Sequence, residues 1–378
     1  MSEFNLYIHI PFCERVCIYC DFYVTTARKF MDHFTAAVLK ELSLYANSYP
    51  GAQIRTIYFG GGTPSFLPSE NLDRIMRHIR HSFEVNPNCE ITLEANPVNL
   101  TYEKLNDLRA MGVNRLSIGV QSFKDHELKF LTRNHNSDDA RESIVLARKA
   151  GFNNISIDLM FGLPGQNMDD WKYNINETLS FYPEHVSVYN LTVEERTYLN
   201  KLVLQKKVTL ADEEHELEMF LKTIELLTES GYEHYEISNF ARTGFRSKHN
   251  GSYWQGLSYL GVGPSAHSFD GDRRWWNVRD IKQYCEMLLE RQVHPVEVKE
   301  ELSIQQKCME YVFLNLRKKE GMGIRELETL GGFSFFDRFK KPLEKTDEFI
   351  IHSKDRIRLN QKGFFLYNKI CEEFVSSL

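Results

Sequence analysis

Residues 7–22 read YIHIPFCERVCIYCDF, a short β-rich run broken at Pro11 by a loop that carries Cys13-x3-Cys17-x2-Cys20. Three thiolates on one tight loop are soft ligands suited to an iron-sulfur cluster or to zinc. Structural zinc takes four ligands, so a zinc reading has to recruit His9, Asp21 or a distant residue. A 4Fe-4S cube held by three thiolates leaves one iron with an open position. Spacing and strand context favour the cube, with zinc and unrelated thiols as the alternatives. The other four cysteines, Cys89, Cys285, Cys308 and Cys371, stand singly in apolar or helical surroundings and read as small buried hydrophobes. Seven cysteines in 378 residues do not make a disulfide scaffold.

Outward from this loop, β-rich runs alternate with segments of 3.6-residue apolar spacing: LYIHI, TIYFG, EITLEA, RLSIGV, ISIDLM and HVSVYN. Six βα units with right-handed crossovers form either an open doubly wound sheet or a curled, incomplete barrel, and their number favours the barrel. Polar residues gather at the C-terminal ends of the runs, where such a fold places its site. The cysteines follow the first run and Gly60-Gly61-Gly62-Thr63 the second, while Glu94, Gln121, Asp158 and Thr192 mark the third to sixth. Arg133 joins them as a further polar candidate. The glycine turn lets backbone approach a ligand without side-chain obstruction. An open iron on the cube is chelated by the amino and carboxylate groups of S-adenosylmethionine (SAM). An electron passed through the cube into the sulfonium releases a 5′-deoxyadenosyl radical, chemistry that belongs to the cofactor pair.

Composition bounds the rest. The net charge is -6, from 46 basic and 52 acidic residues, which offers no global field for nucleic acid. No apolar run approaches the ~18 residues that span a bilayer and the N-terminus lacks a signal-peptide pattern, so the expected location is the cytoplasm. Residues 1–240 read as the barrel and 241–300 as an aromatic, Gly-rich extension. In 301–378, helical patterns precede two short strands and a final helix, the order of a winged helix. That tail holds 14 Lys/Arg against 12 Asp/Glu, too small an excess to argue for a DNA-binding regulator.

YIHIPFCERVCIYCDF, GGGTPSFL, LEANP, RLSIGVQSF, LTRNH, ISIDLMFGLPGQ, YEISNFA and KHNGSYWQGLSYLGVGPSAHS resemble, in order, segments of the oxygen-independent coproporphyrinogen III oxidase family, and within it the HemW-type haem chaperones. The likeness covers essentially the whole chain. It implies an α/β radical SAM partial (βα)6 barrel with a small winged-helix-like α+β domain. It implies that Tyr7, Gly61 and Glu94 contact cluster-bound SAM, and that Tyr19, Gly62, Thr63, Gln121, Arg133, Asp158 and Thr192 match further SAM-shell positions. Two departures separate the chain from the oxidases: Phe22 stands where they carry a fourth cysteine, and only six residues precede Tyr7. Both match the chaperone branch, whose expected partners are haem, acceptor haemoproteins and an electron donor for the cluster. The runner-up is a radical SAM oxidase or another porphyrin-modifying enzyme. His249, in the segment His249-Asn250-x-x-Tyr253-Trp254, matches a haem-binding signature proposed for that branch, set against a structural role. His267 matches a position near SAM in the oxidases. Peripheral membrane association is compatible with this reading.

Overall fold

A computed structural model describes residues 2–378. The expected runs form six parallel strands in sequential order: β1 (Glu3–Ile10), β2 (Gln53–Gly61), β3 (Glu84–Ala95), β4 (Arg115–Gln121), β5 (Ile155–Phe161) and β6 (His185–Asn190). Helices between them, among them Met31–Ser48, Ser69–Ser82, Ser137–Lys149 and Met168–Ser180, cover one face. The strands alternate accordingly. Leu6, Ile8, Ile57, Phe59, Leu93, Leu116, Ile118, Ile157 and Val186 are buried in the main apolar core.

The opposite face is polar to a degree unusual for a barrel interior. In register it carries Asn5, Thr56 and Glu90, then Tyr7, Tyr58, Thr92 and Arg115, then His9, Gly60, Glu94, Ser117, Ser156 and His185. Buried polar groups persist only when bonded to one another or to a ligand. Here Ser156 Oγ meets His185 Nδ1 at 2.7 Å, and His185 Nε2 meets the Tyr235 hydroxyl at 2.8 Å.

The sheet extends beyond both ends of the six-strand unit. On one side β7 (Glu233–Glu236) pairs antiparallel with β8 (Asn239–Ala241), which pairs with β6. On the other, β9 (Tyr259–Val262) lies parallel to β1 and is followed outward by β10 (His267–Phe269), β11 (Arg273–Asn277) and β12 (Val296–Glu301). The result is one 12-stranded sheet whose outermost strands, β12 and β7, do not pair with each other among the described residues. The barrel is incomplete, as expected.

The C-terminal part adds the helix Ile304–Leu316, β13 (Met322–Gly323), helices Ile324–Gly331 and Lys340–Thr346, β14 (Ile350–His352) and β15 (Arg356–Leu359). Its separate sheet runs β13-β15-β14, a winged-helix order. A buried ion pair locks it to the barrel: Arg317 Nε and Nη2 donate to Oε2 of the fully buried Glu236 at 3.0 and 2.6 Å.

Candidate functional site

The cysteine loop is fixed by hydrogen bonds to several elements. Cys13 N donates to Thr25 O at 3.0 Å, Ile18 N to Thr132 Oγ1 at 3.1 Å, and Leu199 N to Ile18 O at 2.8 Å. The glycine turn is stitched to it by Gly62 N donating to Ile10 O at 2.8 Å and Thr63 N to Phe12 O at 2.9 Å. A Cβ on Gly62 would stand 2.9 Å from two of that loop's carbonyl oxygens and 3.0 Å from Cys13 Sγ, so only glycine fits. All seven cysteines are free thiols, and Cys89, Cys285, Cys308 and Cys371 are buried singly.

Cys13, Cys17 and Cys20 open on a cavity of about 370 Å³ at the C-terminal ends of the strands, in the size range of cofactor sites. Its wall also carries Tyr19, Gly61, Gly62, Thr63, Glu94, Gln121, Arg133 and Asp158. Thr63 Oγ1 donates to Cys13 Sγ at 3.4 Å, and Arg133 Nη1 to Cys17 Sγ at 3.6 Å. Glu94 accepts from the Tyr58 hydroxyl at 2.7 Å and from Gly61 N at 3.2 Å; Asp158 accepts from Ser117 Oγ at 3.1 Å. Burial, more than any neighbour, pushes Glu94 up to about 7 and Asp158 up to about 6, while those hydrogen bonds and Arg115 pull the other way. Burial also raises Cys13, and takes Cys20 up to about 11.

Two further features mark this wall as built for a ligand. Gln121 ends β4 with φ of 67°, a left-handed conformation that a non-glycine residue adopts at a cost of about 1–3 kcal/mol, and its buried Oε1 has no partner among the described residues. The buried Arg133 Nε is likewise unpartnered. Thr192 stands apart: it is exposed, outside the cavity wall, and bonded through Oγ1 to Asn190 O at 3.5 Å.

Beside this cavity lies a second, of about 800 Å³, between the barrel rim, the β9–β11 extension and the helix Ile304–Leu316. Phe22, 68% exposed, belongs to both walls. The larger cavity is faced by Tyr7, Tyr23, Tyr253, Trp254, Tyr259 and Phe269, and His267 lines it as well. His249 does not. It is fully buried, its ring stacks on Tyr58 at 4.9 Å, and Nδ1 meets Thr56 Oγ1 at 2.7 Å while Nε2 meets the Tyr253 hydroxyl at 2.8 Å. The backbone N–H groups of Lys248 and His249 donate to Glu90, so the helix Lys248–Trp254 closes the barrel floor.

Residue reading missed Arg115, the buried cation below Glu94 and Asp158. Its signal was a charge at an inward position of β4. It also missed the cavity wall supplied by Glu310, Tyr311 and Leu314, which in sequence are part of an ordinary amphipathic helix.

A parallel (βα)6 partial barrel with a three-cysteine loop after its first strand defines a radical SAM protein, and the radical SAM superfamily model matches residues 7–177. The chain is 37% identical over 379 residues to the heme chaperone HemW of Bacillus subtilis, covering 99% of this chain and 100% of that one. It is 33% identical to the heme chaperone HemW of Lactococcus lactis, covering 98% and 97%. Among solved structures, the radical SAM coproporphyrinogen III oxidase HemN of Escherichia coli matches 100% of this chain and 91% of that one, with a TM-score of 0.85 at 26% identity. The chain belongs to the HemW family of heme chaperones.

Proposed function

We propose that this protein binds haem as cargo and transfers it to acceptor haemoproteins, with a 4Fe-4S cluster on Cys13, Cys17 and Cys20 and an exchangeable SAM beside the cargo. The observation that carries this reading is the pair of adjoining cavities, one polar and thiol-bearing, the other broad and aromatic, separated by Phe22. Among the described residues the three cysteine sulfurs do not all lie within 4.8 Å of one another. Three thiolates on one tetrahedral zinc, at Zn–S of ~2.3 Å, would sit ~3.8 Å apart, so the wider spread favours a cube. The orphaned Gln121 Oε1 and the carboxylates of Glu94 and Asp158 suit the hydroxyl and amino groups of SAM. When bound, the cluster and SAM supply one-electron chemistry at the sulfonium.

In this reading residues 1–240 hold the cofactors, 241–300 form one wall of the cargo cavity, and 301–378 form the facing wall. Haem is flat and apolar with two carboxylates, and the larger cavity offers aromatic faces with cations that lack a carboxylate partner. Lys318 is half-buried and unpaired among the described residues, with burial lowering its pKa. Arg279 donates to the Asp21 carbonyl at 2.7 Å. The proposed partners are acceptor haemoproteins and a donor of electrons to the cluster. The proposed location is the cytoplasm, with peripheral membrane contact compatible; among the described residues no helix is long and apolar enough to cross a membrane.

The whole-chain match to HemN keeps coproporphyrinogen oxidation as the second reading. One anaerobic preparation tests both: cluster reconstitution, then haem titration and porphyrinogen turnover side by side. The expected result is a Soret band that saturates with haem and no protoporphyrinogen. Cys17→Ala loses the iron and sulfide taken up by the parent, and Cys308→Ala keeps them. Repeated turnover to protoporphyrinogen would replace the carrier reading with the oxidase one.

A further inference from the structure

An iron porphyrin in the larger cavity needs a lone-pair donor on the wall, and the usual protein donors are His, Cys, Met and Tyr. Among the described residues the wall has no Cys and no Met. Its tyrosine hydroxyls are already committed. Tyr7 is bonded to His9 Nδ1 at 3.1 Å, Tyr253 to His249 Nε2 at 2.8 Å, and Tyr311 to Gly323 O at 3.4 Å. Tyr23 accepts from Ile281 N at 2.7 Å, and burial raises the pKa of both Tyr23 and Tyr259, which keeps their hydroxyls protonated. Of the two histidines on the wall, His9 is spent at both nitrogens, on Tyr7 and on Tyr23 O at 2.8 Å.

His267 is different. It stands on β10, exposed to the cavity, with its ring stacked on Trp276 at 5.4 Å and 24°, and among the described residues neither ring nitrogen has a hydrogen-bonding partner. The stack fixes the ring plane without using a lone pair. Partial burial, followed by the Arg274 guanidinium, lowers its pKa, which leaves the imidazole neutral near pH 7.

His249 is held the opposite way. Thr56 Oγ1 donates to Asn5 Oδ1 at 2.8 Å, so it accepts from His249 Nδ1–H, and Nε2 is left to accept the Tyr253 hydroxyl proton. Both nitrogens are used, and the ring is sealed beneath Tyr253 in the barrel floor.

We propose that His267 ligates the iron of the bound haem, and that His249 serves the barrel floor without reaching the iron. This rests on the haem-carrier reading above. It assigns the cavity between the β9–β11 extension and the helix Ile304–Leu316 as the porphyrin site. The Fe–N bond forms by donation of the imidazole lone pair, with no change of oxidation state and no proton to move.

The test uses the full-length, cluster-reconstituted protein with two probes, ferric haem and metal-free protoporphyrin IX, in the parent and in His267→Gly. The parent is expected to bind both. In His267→Gly, protoporphyrin IX affinity holds while haem affinity falls roughly tenfold or more and the Soret maximum shifts. Added free imidazole then restores the parent spectrum. An unchanged haem spectrum and affinity in His267→Gly overturns the assignment, as does equal loss of both probes, which would show a packing effect. A parent that binds haem but not protoporphyrin IX overturns it too, because the apolar cavity would not be holding the ring. A parent that binds neither probe removes the carrier reading itself.

Discussion

At the scale of single residues, Glu94 and Asp158 couple the site to pH. Both carboxyls are held above their ordinary range by burial, at about 7 and about 6, so a share of the protein near neutrality carries them protonated. SAM brings a cationic sulfonium and ribose hydroxyl donors, and favours the ionised carboxylates. Its affinity is therefore full above pH ~8 and falls as pH drops through 7 towards 6. Binding near pH 7 should release protons, visible in calorimetry as a dependence of the apparent enthalpy on the ionisation heat of the buffer. Glu94→Gln should abolish most of that dependence and weaken SAM binding by about 1.5–3 kcal/mol while the cluster still assembles, since Glu94 touches Tyr58 and Gly61 and no thiol. A SAM affinity that stays flat between pH 6 and 8 would place the nucleoside away from these carboxylates.

At the scale of elements, one buried ion pair lies at the junction between barrel and C-terminal unit, among exposed pairs such as Lys369–Glu213 and Lys319–Glu233. Arg317, just past the helix Ile304–Leu316, stacks over the Trp254 ring at 3.7 Å and donates twice to the buried Glu236. Arg317→Met leaves that carboxylate buried without its cation, at a cost of about 3 kcal/mol. Adding Glu236→Gln should recover much of the loss in a denaturation midpoint, because the two residues are coupled; a double variant no more stable than Arg317→Met alone would show they are not. The six parallel strands were legible in sequence because each alternates apolar and polar residues between an apolar outer face and a polar lumen. The cysteines, the glycine turn, Glu94 and Asp158 were legible because parallel strands deliver their ends to one rim. β7 to β12 were not, since they are short or carry mixed patterns such as RRWWN, and the pairing of β9 with β1 joins residues about 250 positions apart. The same distance hid the setting of His249. Its likeness to a haem-binding signature stood beside a structural role, and its bonds go to Thr56 on β2 and to a tyrosine one helical turn away.

At the scale of the whole molecule, the larger cavity forms where two distant stretches face each other over the barrel rim: Tyr253 to Arg279, from the end of the floor helix through β11 and just beyond, and Lys307 to Lys318 on and after the helix Ile304–Leu316. Neither wall encloses it alone. Cargo lodged between them should therefore stiffen both together, and amide hydrogen exchange on binding protoporphyrin IX should slow in 253–279 and in 307–318. The helix Met31–Ser48, packed on the outer face of the barrel, should exchange as before. SAM added to the cluster-loaded protein should instead protect the ends of β2 to β5 and the loop 13–20, because the contacts proposed for it line the smaller cavity. Phe22 lines both cavities, so the segment around it should respond to either ligand. Protection by porphyrin confined to 253–279, with 307–318 unaffected, would mean that the cargo rests on the extension and that the C-terminal unit has some other task.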